Sequence, residues 1–301
     1  MERIPEKKKI DPADIRQTFN DVNIKLLCCR YWVLEEWDCM DLSVPFWRLY
    51  HNSLSGAKIR FGDEIIFLND DRMVLVPPRT SFSTHLKFDH LNTYNESITG
   101  RRMERSDRLD VLQKGKRIDH LFIHFNLGFP LDYVKEGIYT FCCTENTVAL
   151  LKEIQASCLD DSPGISFIDS LRIKLLIIQS LLKLPPDIWE FGKIDHRISD
   201  AMQYIEKHSP RRITNEELAE RANMAINSFA RLFKFHTGVS VQQYILKSRV
   251  ERASGLMHHS NKTIDEIAYD CGFSDRHHFS RVFKQLMDIT PAYYKKHLIL
   301  T

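Results

Sequence analysis

Residues 214–234 read TNEELAERANMAINSFARLFK, and residues 263–284 read TIDEIAYDCGFSDRHHFSRVFK. The two strings align at an offset of 49 residues at their start and 50 at their end, so one residue is inserted near Asp275–Arg276. The match runs on through Thr237-Gly238-Val239-Ser240 and Tyr244 against Met287-Asp288-Ile289-Thr290 and Tyr294. Two copies are too few for a solenoid; they suit a duplicated module.

Each copy has the grammar of a helix-turn-helix. Thr214 with Glu217, and Thr263 with Glu266, predict capping boxes in which hydroxyl and carboxylate satisfy orphan N–H groups at a helix start. Leu218, Ala219 and Ala222, like Ile267, Ala268 and Cys271, share one face, small enough for a second helix to cross closely. Asn223 and Gly272 stand where the chain must turn, and both tolerate a left-handed backbone. The second helix then buries Phe229, Leu232 and Phe233, or Phe279, Val282 and Phe283, and carries Arg231 and Lys234, or Arg281 and Lys284, on its other side. A basic second helix after a tight turn is the arrangement that enters a major groove. Between the copies, the apolar stripe of Val241, Tyr244, Ile245, Val250, Ala253 and Leu256-Met257 predicts one helix over Val241–His259. Such a helix would hold two recognition helices for successive major grooves, about 34 Å apart.

The chain has 301 residues, 43% hydrophobic and 27% charged, an ordinary globular balance sufficient for two domains. No apolar run reaches the ~18–20 residues of a membrane span. Residues 1–9 hold positive charge without an apolar stretch, so no secretory signal is expected. Seven cysteines and no C-x-x-C fit reduced thiols in cytoplasm better than a disulfide framework or a zinc ribbon. The net charge of +2 conceals an asymmetry: residues 197–301 hold 16 Lys+Arg against 11 Asp+Glu, and residues 1–196 hold 26 against 29. A basic module suggests a polyanionic partner. Pro185-Pro186 and Gly192 mark a linker, which divides the chain into 1–184, a linker 185–196, and 197–301.

In the N-terminal half, residues 24–34, 46–51, 57–68, 72–76, 81–87, 118–127 and 137–143 predict short strands of an antiparallel barrel or sandwich. Two helices follow, Asn146–Cys158 and Ile165–Leu184. The second bears two apolar stripes: Ile168, Leu171, Leu175, Ile178 and Leu182, and Ile173, Leu176, Ile177, Leu181 and Leu184. Either both pack within the chain or one meets a second copy. Residues 88–117 carry seven basic and five acidic side chains and predict a disordered insertion or a lid.

From Ile213 to Lys295 the chain resembles the AraC/XylS-type transcriptional regulators. The resemblance lies in Glu217-Leu218-Ala219, Arg231-Leu232-Phe233-Lys234, Gly238, Tyr244, Arg249, Ala253, Ile264–Ala268, Cys271-Gly272-Phe273, Phe279–Lys284, Thr290-Pro291 and Tyr294-Lys295. It implies an α+β chain, with a cupin-like β-barrel and two helices followed by an all-α domain of two helix-turn-helix motifs joined by a helix. It also implies base contacts from the early, exposed positions of each recognition helix: Asn227, Ser228, Ala230 and Arg231, then Arg276, His277, Ser280 and Arg281. Arg suits guanine and Asn suits adenine, while Ala230 offers apolar contact alone. Lys234 and Lys284 would neutralise phosphates, and His278 would either pack or touch phosphate. Three positions depart from the pattern: Asn223 and Asp288 where Gly is usual, and Ala225 in place of a Ser or Thr cap, a loss of ~1 kcal/mol.

The N-terminal strands Phe46–His51, Val74–Thr80 and His120–Phe125 look like those of the family's effector barrel. Trp47, His51, Arg79 and His124 are the candidate effector-binding groups. The implied protein is a cytoplasmic, homodimeric regulator of double-stranded DNA that answers a small molecule, with RNA polymerase as partner if it activates. A regulator governed by a protein partner or by oligomerisation without ligand is the alternative. A cupin enzyme fused to a DNA-binding domain is disfavoured, since no H-x-H occurs. Repair-type methyl acceptors with a similar helix pair need a Pro-Cys-His or four-cysteine site that is missing. No catalytic residue, metal or cofactor is expected.

Overall fold

A computed structural model describes residues 22–86, 97–128, 131–159, 165–189, 195–287 and 289–297. The N-terminal strands are β1 (Lys25–Leu42), β2 (Trp47–His51), β3 (Lys58–Phe61), β4 (Glu64–Phe67), β5 (Arg72–Val76), β6 (Phe82–His85), β7 (Ser97–Arg102), β8 (Ile118–Asn126) and β9 (Tyr139–Cys142), with the short helix α1 (Leu109–Lys114) between β7 and β8. All pairings are antiparallel, in the order β4-β3-β6-β1-β8-β2-β5-β9, with β7 also on β1. The long strand β1 closes the half-barrel. Its first part pairs β8, its middle pairs β7, and after bulges its end pairs β6.

Three sequence expectations change here. The stretch 57–68 is a hairpin, because Gly62 takes φ +57 and turns β3 into β4. Strand β1 runs to Leu42, eight residues past the expected end. The expected disordered insertion holds ordered structure at 97–102 and 109–114, and only residues 87–96 fall outside the description. Its charges mislead because Arg101 pairs Asp107 while the backbone of β7 docks on Trp32–Asp38.

Two helices, α2 (Glu145–Cys158) and α3 (Phe167–Leu181), cover the sheet, each capped by a side chain, Thr144 or Ser166. The two stripes of α3 part company. Ile173, Leu176 and Ile177 are buried, whereas Ile168, Leu171, Leu175, Ile178 and Leu182 stay 44–80% exposed.

The C-terminal helices are α4 (His196–His208), α5 (Asn215–Arg221), α6 (Ile226–Thr237), α7 (Val241–His259), α8 (Ile264–Asp270), α9 (Arg276–Met287) and α10 (Pro291–His297). The first helix-turn-helix, α5 and α6, closes a core with α4 and the start of α7 around Ile205, Leu218, Phe229, Phe233 and Tyr244. The second, α8 and α9, packs Ala268, Phe279, Phe283 and Tyr294 onto the far half of α7, and that core is continuous with the barrel's. Asn223 and Gly272 both have positive φ, as their turns require.

At Gly272 conformation and space act together. Its φ is +81, and a Cβ there would stand 2.0 Å from the carbonyl oxygen of Pro210. This close approach seats the second turn on the loop after α4. Gly238, which caps α6, has φ +76 but open space around it. Gly238→Ala is therefore expected to cost about 1–2 kcal/mol for the left-handed backbone alone. Gly272→Ala should cost at least about 3 kcal/mol, since backbone must also move. Urea denaturation of both variants measures the difference, and equal costs would contradict the close approach.

Candidate nucleic-acid interface and inner cavity

The two recognition helices present matched faces. In α6, Phe229 and Phe233 are fully buried, while Asn227, Arg231 and Lys234 are exposed. In α9, Phe279 and Phe283 are fully buried, while His277, Arg281 and Lys284 are exposed. Each exposed set follows an i, i+4, i+7 spacing, so both helices show one polar and basic stripe over two turns. Ser228, Ala230, His278 and Ser280 are half-buried at the margins of these stripes.

The helix starts differ. Thr263 and Glu266 form the full capping box of α8, with Thr263 N–H donating to the Glu266 carboxylate at 2.7 Å. At α5 the box is half made. Thr214 accepts from Glu217 N–H, but the Glu217 carboxylate turns to accept from Tyr204 Oη at 2.6 Å and from Arg211. A stronger charged partner has taken the carboxylate away from the backbone. Ala225 leaves the start of α6 without a side-chain cap. Asp275, which the sequence reading passed over, caps α9 by accepting from His278 N–H at 2.7 Å. Arg276 spans the turn to Asp265 at 3.0 Å, and His278 contacts the Ser274 hydroxyl and the edge of Phe273. Asp288 lies outside the described residues.

Behind these helices lies a seam with the barrel. Arg79 takes both carboxylate oxygens of Glu251 on α7, at 2.9 and 2.7 Å, and donates to the carbonyl of Asp132. Its guanidinium lies 4.0 Å over the ring of Tyr133, whose hydroxyl meets that of Tyr244 at 2.9 Å. Burial opposes the charge of Arg79, yet Glu251 holds its pKa above the ordinary value. Arg79 also has φ +63, a strained backbone for a residue with a side chain, at the point that ties the two halves.

Of the four candidate effector groups, Arg79 thus belongs to the seam. Trp47 is fully buried, donates to Asp132 at 2.9 Å and stacks on Phe125. His51 turns to the carbonyl of Asp70. His124 alone lines the inner cavity, a space of about 50 Å³ walled also by Cys28, Arg48, His120, Phe122 and His258. Alternation explains the split: Phe46, just before β2, and Arg48 and Tyr50 on it line the cavity, and Trp47 and His51 point to the other face. An arginine inside an apolar strand was the available signal, and the period-2 rule would have found it.

Arg48 is 1% exposed. It donates to the carbonyl of Thr80 at 3.1 Å, lies 4.3 Å over Phe82 and stands beside Tyr50, but its Nε and Nη1 find no hydrogen-bond partner among the described residues. Burial lowers its pKa. Burial likewise holds His120 down at about 3 and His259 at about 4, and pulls His124 and His258 well below the ordinary range, so these imidazoles are neutral at pH 7. His258 closes the cavity from α7 and pairs with Tyr294 Oη at 2.8 Å.

Glu206, on α4 beside Tyr133, is pushed up to about 7 by burial; a hydrogen bond from Tyr133 opposes this rise and the charge of Glu251 adds to it. The unfolded carboxyl titrates near 4.5, so the folded chain binds more protons between there and about 7. Stability therefore falls as pH rises through that window. Glu206→Gln is expected to stabilise the chain by on the order of 1–2 kcal/mol at pH 8 and to be nearly neutral at pH 4. Thermal melts at the two pH values measure this; the same shift at both would show that Glu206 is not held protonated.

Residues 218–297 match the family model described as a helix-turn-helix domain. The transcriptional activators RhaS of Salmonella schwarzengrund and Salmonella arizonae are each 30% identical, over 131 and 134 residues, which is 44% of this chain and 46% of theirs. The chain thus matches about half the length of these curated relatives. Over 90% of its length it superposes on ToxT from Vibrio cholerae, covering 98% of that chain at 14% identity with a TM-score of 0.51. A ToxT structure with bound unsaturated fatty acid gives 0.50 over 93% of this chain and 98% of that one, at 13% identity. Residues 218–297 are thus a helix-turn-helix domain similar to that of the RhaS activators, and the chain as a whole has a fold similar to that of ToxT.

Proposed function

We propose that the protein is a sequence-specific DNA-binding transcriptional regulator. The observation that carries this reading is the pair of matched recognition faces, Asn227, Arg231 and Lys234 against His277, Arg281 and Lys284, in a matched helix-turn-helix module. Arg231 and Arg281, with Asn227, Ser228, Ala230, Arg276, His277 and Ser280 beside them, read base edges. Lys234 and Lys284, nearer the helix ends, neutralise phosphates, with His278 packing behind. Residues 1–184, 185–196 and 197–301 act as sensor, linker and DNA-binding unit. The relatives are activators, so the output favoured here is recruitment of RNA polymerase in the cytoplasm.

Regulation enters through the cavity. At about 50 Å³ it is far smaller than the ~300–1,000 Å³ of ordinary ligand sites. A small-molecule effector seated in this cavity therefore has to push back its wall, and that wall includes His258 of α7. The two unpartnered N–H groups of Arg48 favour an anionic group on that effector. The exposed stripe Ile168, Leu171, Leu175, Ile178 and Leu182 supports a homodimer through α3, since such spacing fits a helical seam.

Selection from a random DNA pool with the full chain should enrich a defined sequence, and recovery of no common sequence would overturn the reading. Against that sequence, Arg281→Ala should cost about 1–3 kcal/mol and relax base preference. Lys284→Ala should weaken all sequences alike and lower the salt slope by about one. For the dimer, Leu171→Glu with Leu175→Glu should convert a dimer to a folded monomer by light scattering. An unchanged mass would remove α3 from the interface.

A further inference from the structure

We propose that Cys28, His124 and His259 form a binding site for a borderline-soft transition-metal ion, with Zn²⁺ the leading candidate, and that the ion clamps the barrel to the C-terminal helices. One ligand atom from each of the three residues lies within 4.8 Å of the other two. Cys28 and His124 are register partners on β1 and β8, so the sheet itself holds them side by side. His259 is the last residue of α7, brought over them by the packing of His258 and His259 on Phe46.

A second observation points the same way. His124 is 8% exposed and its Nδ1 has no hydrogen-bond partner among the described residues. Neither ring nitrogen of His259 has one. Buried imidazole nitrogens without partners are costly unless something else accepts their lone pairs. Thiolate and neutral imidazole are the donor set that Zn²⁺ prefers, at about 2.3 and 2.0–2.1 Å. A tetrahedral site requires donor separations of about 3.3–3.8 Å, so groups that lie within 4.8 Å of one another must draw in by up to about 1.5 Å. Side-chain rotation and slight closure of the seam provide that.

Binding is a simple exchange. The Cys28 thiol gives its proton to solvent, its sulfur lone pair and one from each imidazole bind the ion, and a fourth position remains for water or an anion. Arg30 and Arg48 face the same space and their charge opposes any dication, so only an ion that gains strongly from thiolate and imidazole binds, which excludes a hard, hydrated ion such as Mg²⁺. No sequence spacing announces this site, because its ligands lie on two strands and one distant helix.

Co²⁺ serves as the spectroscopic probe, added alone to chelator-stripped full-length protein. One equivalent should give a sulfur-to-cobalt charge-transfer band and the visible bands of tetrahedral Co²⁺, both abolished by Zn²⁺. Cys28→Ser, a one-atom change, should lose the charge-transfer band, and His259→Gln should lose the tetrahedral spectrum. Cys29→Ser should keep both, because that thiol faces Cys158 at 3.7 Å instead. Zn²⁺ should raise the melting temperature of the wild type and leave that of Cys28→Ser unchanged. A wild-type chain that gives no such bands, or bands that persist in Cys28→Ser or depend on Cys29, would overturn the site. These readouts need no DNA, so they stand or fall apart from the regulatory reading.

Discussion

Helix α7 serves two cores at once, and the rest of the structure depends on that constraint. Its first half places Val241, Tyr244 and Ile245 under the first helix-turn-helix, and its second half places Val250, Ala253 and Met257 under the second. A straight helix of 19 residues is about 28 Å long, so the two recognition helices are spaced by one rigid rod. The same rod carries Glu251 to Arg79 and His258 to the cavity wall. Movement of the barrel against α7 therefore cannot leave the spacing or tilt of α8 and α9 untouched, because all of them share side chains.

This shared packing is uneven. The first helix-turn-helix has its own closed cluster, touched from the barrel side by Tyr133. The second is continuous with the barrel core through the far half of α7. Its turn is also pinned, by Gly272 against Pro210 and by Arg249, which donates to the carbonyls of Ser209 and Arg211. Seated capping differs in the same direction: Asp275 caps α9, and α6 starts at Ala225 with no side-chain cap. The first recognition helix is held by fewer local constraints, and the second shares a core with the barrel.

Much of the C-terminal half was legible because its signals are local. A capping box, a turn residue and a face of 3.6-residue period are each written within a few positions, and Thr263, Asn223, Gly272 and the span Val241–His259 all landed as read. Glu217 shows the limit: its box was correctly spaced, but Arg211 and Tyr204 competed for the carboxylate from outside the window. In the barrel the strands were mostly visible, yet β7 was hidden by charges that pair with one another at the surface. The cavity was the least legible. Its walls come from β1, β2, β8 and α7, and the structure sets Trp47 and His51 on the face of β2 opposite the cavity, where Arg48 and Tyr50 stand. The two stripes of α3 were equivalent in sequence, and packing alone separates the buried one from the exposed one.

The distribution of unsatisfied groups gives the seam its meaning. Among the described residues, Arg48 Nε and Nη1, His124 Nδ1, both nitrogens of His259 and Glu206 Oε1 are buried without partners at the cavity or beside the Arg79–Glu251 pair, and five more such atoms, on His51, Asn52, Asn69, Ser209 and Asn215, lie elsewhere. By contrast, the buried carboxylate of Asp119, deeper in the barrel, accepts from Tyr31 Oη and from the N–H groups of Ser53 and Leu54. The fold can evidently satisfy a buried charge where it needs only stability. Leaving several unsatisfied along one boundary makes the closed arrangement less stable than its apolar packing would allow. A bound species that supplies the missing partners, whether anion at Arg48 or metal at His124 and His259, has differential affinity for one arrangement of the seam, and that is the requirement for shifting it. Because α7 forms one wall of the boundary and the spine of both helix-turn-helix units, such a shift would move those units without any separate relay.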